Sequence, residues 1–446
     1  ILNDNGMSIT PNVGAISRYL AKMRLRPAYL EFKLWYRNVT AHIPGGRKLY
    51  SFTHKLKSRL RRRLIGQTLF EDMGFTYLGP VNGHDVETVS ELLRAAAALK
   101  EPVLLHLNTV KGKGFAPAEK TPQNFHGVGR FDPVSGRPAS AKAPTFATAF
   151  GAELTRLAET DTRICAITAA MRQGVGLDAF SEAHPARYFD VGIAEGHAVT
   201  MAGGLAAQGM IPVVAVYSTF LQRAYDMLLH DVALMKLHVV LAVDHTGLVG
   251  ADGETHHGAF DVGFLRQIPG MTVFCPANFA ELRAMLRKAV WETSGPVAIR
   301  YPTGSEGRYT ACTDAPLLRE GTDCTLVTYG TLVNAALGAA ELCEKRGISV
   351  EIVKLPRIAP LDMQPVLESV KKTGRILAAE ETEDMGCVAA DIFAALEEGG
   401  IRAVCARANL GCGFQPHGSI PELLHRAGLD AEGLFQKILE VVEREK

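Results

Sequence analysis

The chain has almost no net charge and no clustered cysteines, and each absence closes off a class of function. Its 48 basic and 47 acidic residues sum to +1 over 446 positions, so no bulk field draws it to nucleic acid or to an anionic membrane. The eight cysteines (Cys165, Cys275, Cys312, Cys324, Cys343, Cys387, Cys405 and Cys412) are scattered, with no CxxC and no Cys/His cluster. That argues against a zinc site or a disulfide framework and for a reducing, cytoplasmic compartment. No apolar run reaches the roughly 18 residues of a spanning helix, and no charged-then-apolar leader opens the chain. Function must come from local sites.

What is present is a three-domain α/β pattern, the length suiting about three domains at about 100–200 residues each. Ile1-Leu2-Asn3-Asp4-Asn5 reads as a buried strand end entering a polar loop, so the chain is expected to be cut inside a domain. A basic run at 55–63, KLKSRLRRR, reads as a solvated amphipathic helix, because no aromatics interleave it as a nucleic-acid patch would require. A helix over 86–99 and a strand over 102–109 follow.

The Gly/Pro/Ser/Ala-rich stretch at 127–144 has no apolar periodicity and reads as a linker. Beyond it, helices alternate with β-branched runs. Strands are predicted over 164–168, 188–191, 211–216, 238–243, 272–275 and 297–299, with helices at 197–208 and 224–235. Asn278 opens another helix, with Glu281 as its capping-box partner. Continuous apolar strands separated by helices imply a buried, mostly parallel, doubly wound sheet. After a second linker a third α/β unit is predicted, with strands near 324–328, 349–353, 376–379 and 402–405 and helices over 332–346, 388–398 and 432–445.

Open α/β sheets bind ligands at the carboxyl ends of their strands, which selects four segments. Asn3-Asp4-Asn5-Gly6-Met7-Ser8 offers hard oxygens of the kind magnesium prefers, although it also reads as an ordinary turn. Tyr188 to His197 (YFDVGIAEGH) sets Glu195 in an apolar run at a strand-to-helix turn, where it is either a functional buried carboxylate or a residue favoured by the helix dipole. Tyr217 to Asp226 (YSTFLQRAYD) is a ligand-contacting strand end or a helix capped by Ser or Thr. Gly247 to Gly258 (GLVGADGETHHG) is poor core and good ligand loop, and its two adjacent histidines are badly placed to chelate one ion.

With NDNGMSI, GPVNGHD, KGKGFAPAE, FHG, FDVGIAEGHAV, YSTFLQRAYD, HDVAL, GLVGADGETHHGAFD and RYPTG in order, the sequence resembles the 1-deoxy-D-xylulose-5-phosphate synthase family, in the transketolase-like group of thiamine-diphosphate enzymes. The resemblance covers essentially the whole chain. It implies three doubly wound α/β domains, the first incomplete: 1–126 for the diphosphate, a linker at 127–144, 145–305 for the pyrimidine, a linker at 306–321, and a C-terminal domain at 322–446. It also implies thiamine-diphosphate-dependent decarboxylation of pyruvate and carboligation to glyceraldehyde 3-phosphate, a step serving isoprenoid precursor, thiamine and pyridoxal biosynthesis, in a cytoplasmic homodimer that uses neither nucleic acid nor membrane.

By the same resemblance, Asn5 and the Met7 carbonyl ligand Mg2+, while Phe115 and Phe220 flank the cofactor and Glu195 binds its aminopyrimidine ring. Tyr217, Arg223, Asp252, His256 and His126 line the substrate pocket, the histidines as proton-transfer candidates. His245 and Thr303 stand where the family has arginines that bind the acceptor phosphate, and neither offers a permanently charged fork. A related acyloin-forming enzyme with a nonphosphorylated acceptor is therefore one alternative. A non-catalytic paralogue acting by interaction is another, because a GDG segment that supplies a further magnesium ligand in the family does not precede NDNGMSI here. Glu380-Glu381 and Phe414-Gln415-Pro416-His417-Gly418 also match family motifs and read as turns and interdomain contacts.

Overall fold

The computed structural model describes residues 1–7, 15–16, 19–20, 68–139 and 143–444; the basic run at 55–63 lies outside them. The described residues form two compact units, Ile1–Ala141 and Lys142–Lys446.

In the first unit β1 (Leu2–Asp4), β2 (Thr76–Asn82) and β3 (Val103–Asn108) make a parallel sheet in the order β1-β3-β2. Parallel neighbours need a crossover, and helix Val86–Ala98 supplies the one between β2 and β3. Asp85 starts that helix by accepting the Thr88 N–H at 3.2 Å. Val89 and Leu92 then turn inward onto Leu78, Val81, Leu105 and Leu107. One polar line crosses all three strands. His106 in β3 meets Asp4 Oδ2 in β1 at 3.1 Å and the Tyr77 hydroxyl in β2 at 2.7 Å.

The expected linker at 127–144 is mostly exposed where it is described, with one anchor at Phe131. Phe131 joins Phe115 and Phe125 in a half-buried cluster with centroids 5.5–5.9 Å apart, because pairing aromatic rings outweighs the looseness of the surrounding Gly and Ser.

The second unit contains β4 (Ile164–Thr168), β5 (Tyr188–Asp190), β6 (Ile211–Tyr217), β7 (Val240–Asp244), β8 (Thr272–Phe274), β9 (Val297–Arg300), β10 (Leu317–Arg319), β11 (Cys324–Thr328), β12 (Val350–Lys354), β13 (Arg357–Ala359), β14 (Arg375–Ala379) and β15 (Val404–Ala408). They form a seven-stranded sheet, β13-β8-β9-β7-β6-β4-β5, and a five-stranded sheet, β10-β12-β11-β14-β15. Only β10 and β13 pair antiparallel. β4, β7 and β11 are buried along their whole length, as strands covered by helices on both faces must be. This is the α/β architecture that the alternating pattern implies.

Two sequence expectations are corrected. The helix expected over 224–235 is a 3-10 turn at Gln222–Ala224, an α turn at Tyr225–Met227 and a π-helix at Leu228–Ala233. The π register is visible in the Leu234 N–H to Leu229 carbonyl and Leu237 N–H to Val232 carbonyl bonds. Such a widened turn re-aims side chains without ending the helix. Asn278 does cap helix Phe279–Trp291, accepting the Glu281 N–H at 2.9 Å, but Glu281 does not close a capping box. Its carboxylate accepts the Ala277 N–H at 2.9 Å and takes the ammonium of Lys354, since a buried cation is a stronger partner than an amide.

The expected linker at 306–321 makes ordered contacts where it meets the sheets. Glu306 accepts the Phe279 N–H at 2.8 Å, Tyr309 is buried, and β10 extends the five-stranded sheet.

Candidate active site

The carboxyl ends of β5, β4, β6, β7 and β9 lie side by side in that order in one sheet, so residues far apart in sequence gather there. After β5, Asp190 Oδ1 accepts the N–H groups of Ala170 (2.9 Å) and Gly192 (3.0 Å), which shapes the turn into helix Glu195–Ala207. Glu195 is the first residue of that helix and is 4% exposed. Its Oε1 accepts from Arg223 Nη1 at 2.7 Å. Burial of this carboxylate is offset by the guanidinium and by the helix amino end.

Arg223 comes from the 3-10 turn after β6, and its guanidinium also lies 5.0 Å from the ring centroid of Phe220. Ser218 and Thr219 do not cap the helix Ser218–Leu221 with their side chains, so the capping reading of this strand end fails. The Thr219 hydroxyl instead donates to the Thr255 carbonyl at 3.2 Å, tying the β6 end to the loop at 247–258. The ring of His256 on that loop meets Phe220 edge-on at 5.3 Å, and its Nδ1 contacts the Thr255 hydroxyl at 2.8 Å.

Tyr217 ends β6, and its ring stacks on His245 with centroids 3.7 Å apart. His245 follows β7 at φ +58°, with Nδ1 2.9 Å from Asp244 Oδ1. A left-handed backbone is uncommon for a residue with a Cβ and concentrates at functional turns. Burial, with Asp244 and Asp252 adding negative charge, pushes the Tyr217 phenol well above its ordinary pKa, so this hydroxyl keeps its proton and can donate a hydrogen bond throughout the physiological range. Burial likewise raises the Asp244 carboxyl despite its bonds to His245. Thr303 lies just past β9, in the segment whose Tyr301 carbonyl accepts the Thr246 N–H at 3.3 Å.

His257, the other member of the histidine pair, is structural. Its Nδ1 accepts the Val249 N–H and its Nε2–H donates to the Pro416 carbonyl, both at 3.1 Å. Both nitrogens are occupied, which fixes the tautomer and leaves no lone pair for a metal.

The first unit carries the remaining expected residues. Asn5 Oδ1 accepts the Met7 N–H at 3.0 Å, curling the turn after β1. The Asn5 amide and Met7 carbonyl are the neutral hard oxygens that magnesium accepts, whereas Asp4 is committed to His106. Phe115 sits in the three-Phe cluster. His126 Nδ1 accepts from Lys111 Nζ at 3.2 Å. Burial and the neighbouring ammonium push the His126 pKa down, favouring the neutral ring.

Sequence reasoning passed over Lys354 and the bonds that Glu281 and Glu380 make. Lys354 is fully buried against Glu281, with its Nζ 3.2 Å from the Tyr309 hydroxyl. Glu380 accepts the Val388 and Ala389 N–H groups at 2.8 and 2.7 Å and the Tyr329 hydroxyl at 3.0 Å, capping helix Val388–Glu398. A charged residue in or next to an apolar strand was the available signal.

Residues 1–109 match the family model described as 1-deoxy-D-xylulose-5-phosphate synthase, 142–306 the transketolase pyrimidine-binding domain, and 313–434 the transketolase C-terminal domain. The chain is 46% identical to the 1-deoxy-D-xylulose-5-phosphate synthase of Desulforudis audaxviator over 85% of its length, spanning 61% of that relative. It is 41% identical to that of Heliobacterium modesticaldum over 100% of its length, spanning 70% of that one. Among solved structures, a split-gene transketolase described as an inactive β4 tetramer matches with TM-score 0.60 and 28% identity, over 68% of this chain and 99% of that one. The transketolase of Campylobacter jejuni shares the fold, with TM-score 0.56 at 18% identity over 85% of this chain and 70% of that one. Identity of this extent across all three segments places the chain in the 1-deoxy-D-xylulose-5-phosphate synthase family of transketolase-like transferases.

Proposed function

We propose that the protein decarboxylates pyruvate and joins the remaining two-carbon unit to the aldehyde of glyceraldehyde 3-phosphate, giving 1-deoxy-D-xylulose 5-phosphate. The observation that carries this reading is the buried carboxylate of Glu195 at a helix start, bonded to the Arg223 that lies over the Phe220 ring, with Tyr217 and His245 at neighbouring strand ends and Asp252 and His256 on the following loop. A carboxyl group in an apolar setting next to an aromatic face fits the aminopyrimidine of thiamine diphosphate, and an all-oxygen turn at Asn5 and Met7 fits its magnesium ion. When bound, thiamine diphosphate supplies the electron sink for loss of carbon dioxide.

The chain's own groups do the rest. Glu195 holds a proton at the pyrimidine ring nitrogen, and Phe220 covers the ring face. Phe115 supplies an apolar wall on the first unit. Tyr217, Arg223 and Asp252 orient the substrates, His245 and Thr303 face the acceptor, and His256 and His126 move protons. Residues 1–126, 145–305 and 322–446 act as diphosphate, pyrimidine and C-terminal domains, joined through 127–144 and 306–321.

The protein works as a cytoplasmic homodimer without nucleic acid or membrane, in isoprenoid precursor, thiamine and pyridoxal synthesis. Among the described residues, no helix is long and apolar enough to cross a membrane. The test is calorimetry of thiamine diphosphate with and without Mg2+, together with product formation from pyruvate and glyceraldehyde 3-phosphate. Magnesium-dependent binding and turnover are expected. Absence of binding by the whole protein would sink the reading.

A further inference from the structure

The loop at 247–258, which carries Asp252 and His256, is held from two sides. On the side of the strand ends it is pinned by the Thr219–Thr255 bond, by the Gly247–Gly258 bridge and by the Phe220–His256 contact. On the other side it is gripped by residues far along the chain. Glu381 Oε1 accepts the Leu248 N–H at 2.6 Å. His257 donates to the Pro416 carbonyl at 3.1 Å, and His417 Nδ1–H donates to the Ala251 carbonyl at 3.1 Å.

Two glycines make the grip close. A Cβ on Gly253 would lie 2.3–2.5 Å from atoms of the His417 ring, and one on Gly247 would lie 2.4 Å from Glu381 Oε1. Both sit at positive φ, +71° and +68°. The loop backbone is thus pressed directly against two side chains that belong to no part of the catalytic strand ends. Ala251, whose carbonyl His417 holds, is the middle residue of the 3-10 turn Gly250–Asp252 that aims Asp252.

We propose that His417 and Glu381 are positioning residues, and that the C-terminal α/β domain acts through them as a clamp setting Asp252 and His256 for substrate binding. This rests on the activity proposed above. His417 is exposed and donates a single hydrogen bond to the loop, so removing it frees a backbone carbonyl to water with little cost to folding. What is lost is the fixed course of the turn before Asp252, and misplaced binding groups weaken substrate binding more than they alter the chemical step.

The experiment compares the parent protein with His417→Ala, His417→Asn and Glu381→Gln, reading amide hydrogen exchange across 247–258 and steady-state kinetics with pyruvate and glyceraldehyde 3-phosphate. Asn can place an N–H donor near the imidazole Nδ1, and Gln keeps the acceptor oxygen, so both conservative variants should behave as the parent. For His417→Ala, exchange at the loop amides should rise about tenfold, and KM for at least one substrate should rise about tenfold with kcat within about twofold. The melting temperature should not move. Unchanged exchange, or raised exchange with unchanged KM, overturns the proposal, as does an Asn variant as impaired as the Ala variant. The exchange readout needs no turnover, so a parent protein lacking synthase activity would refute the functional reading and leave exchange to decide the clamp.

Discussion

Arg223 holds Glu195 at 2.7 Å, the carboxylate 4% and the guanidinium 55% exposed. An ion pair so lopsided in exposure keeps a buried carboxylate compensated by a cation that reaches water.

Glu195→Gln keeps the shape and removes the acid–base function. Turnover should fall by about 10²–10⁴-fold, with the melting temperature of the ligand-free protein little changed. Arg223→Met should behave oppositely in the ligand-free protein, leaving a buried carboxylate without its cation. Its destabilisation should be smaller than the ~3–5 kcal/mol of a fully buried pair because water reaches the arginine. Urea unfolding of both variants checks the contrast.

Gly174→Ala should disturb the strand ends from outside the loop. A Cβ there would fall 1.9 Å from the Tyr217 hydroxyl, displacing the ring from its stack on His245. About 1–3 kcal/mol of stability should be lost, with a raised KM; unchanged unfolding and kinetics would show that Tyr217 yields freely.

Lys354→Met leaves Glu281 buried without its ammonium partner and should cost about 3–5 kcal/mol in chemical denaturation. Lys354→Met combined with Glu281→Gln should recover most of that loss, since the charge to be compensated is then gone. A double variant as unstable as the single one would point to lost packing as the cause.

Burial raises the Glu381 carboxyl to about 7 despite the Leu248 N–H and Arg300. Below its ordinary value of 4.5 the group is protonated in both folded and unfolded chains. Between there and about 7 only the folded chain keeps the proton. Its stabilising contribution is therefore complete at low pH and lost as pH rises through the folded value. Relative to Glu381→Gln, which cannot titrate, the parent should lose on the order of 1–3 kcal/mol between about pH 4.5 and 7.5. A constant difference across that window would contradict the shift.

The sequence read well wherever structure is dictated locally. The apolar runs at 164–168, 211–217 and 240–244 form buried parallel strands because a strand covered on both faces cannot alternate. The ligand loops were legible for a related reason, since Gly, His and Asp after a strand make poor core. What escaped depends on partners distant in the chain. Nothing near Glu281 announces Lys354, nothing near Glu195 fixes the bond to Arg223, and the π turn at Leu228–Ala233 has helical composition. Glu381 and His417 read as residues of turns and interdomain contacts, but their partners, Leu248 and Ala251, lie more than a hundred positions away and could not be named.

β13 has a consequence for how the second unit comes apart. It follows β12 of the five-stranded sheet, yet its own backbone bonds go to β8 of the seven-stranded one. It behaves as a stitch. Severing the chain near 306–321 would not release two intact halves, because the upstream half would be left with an uncovered strand edge seeking another chain. The two sheets should accordingly melt in a single transition, and a recombinant fragment ending before Arg357 should be sticky where the whole protein is not.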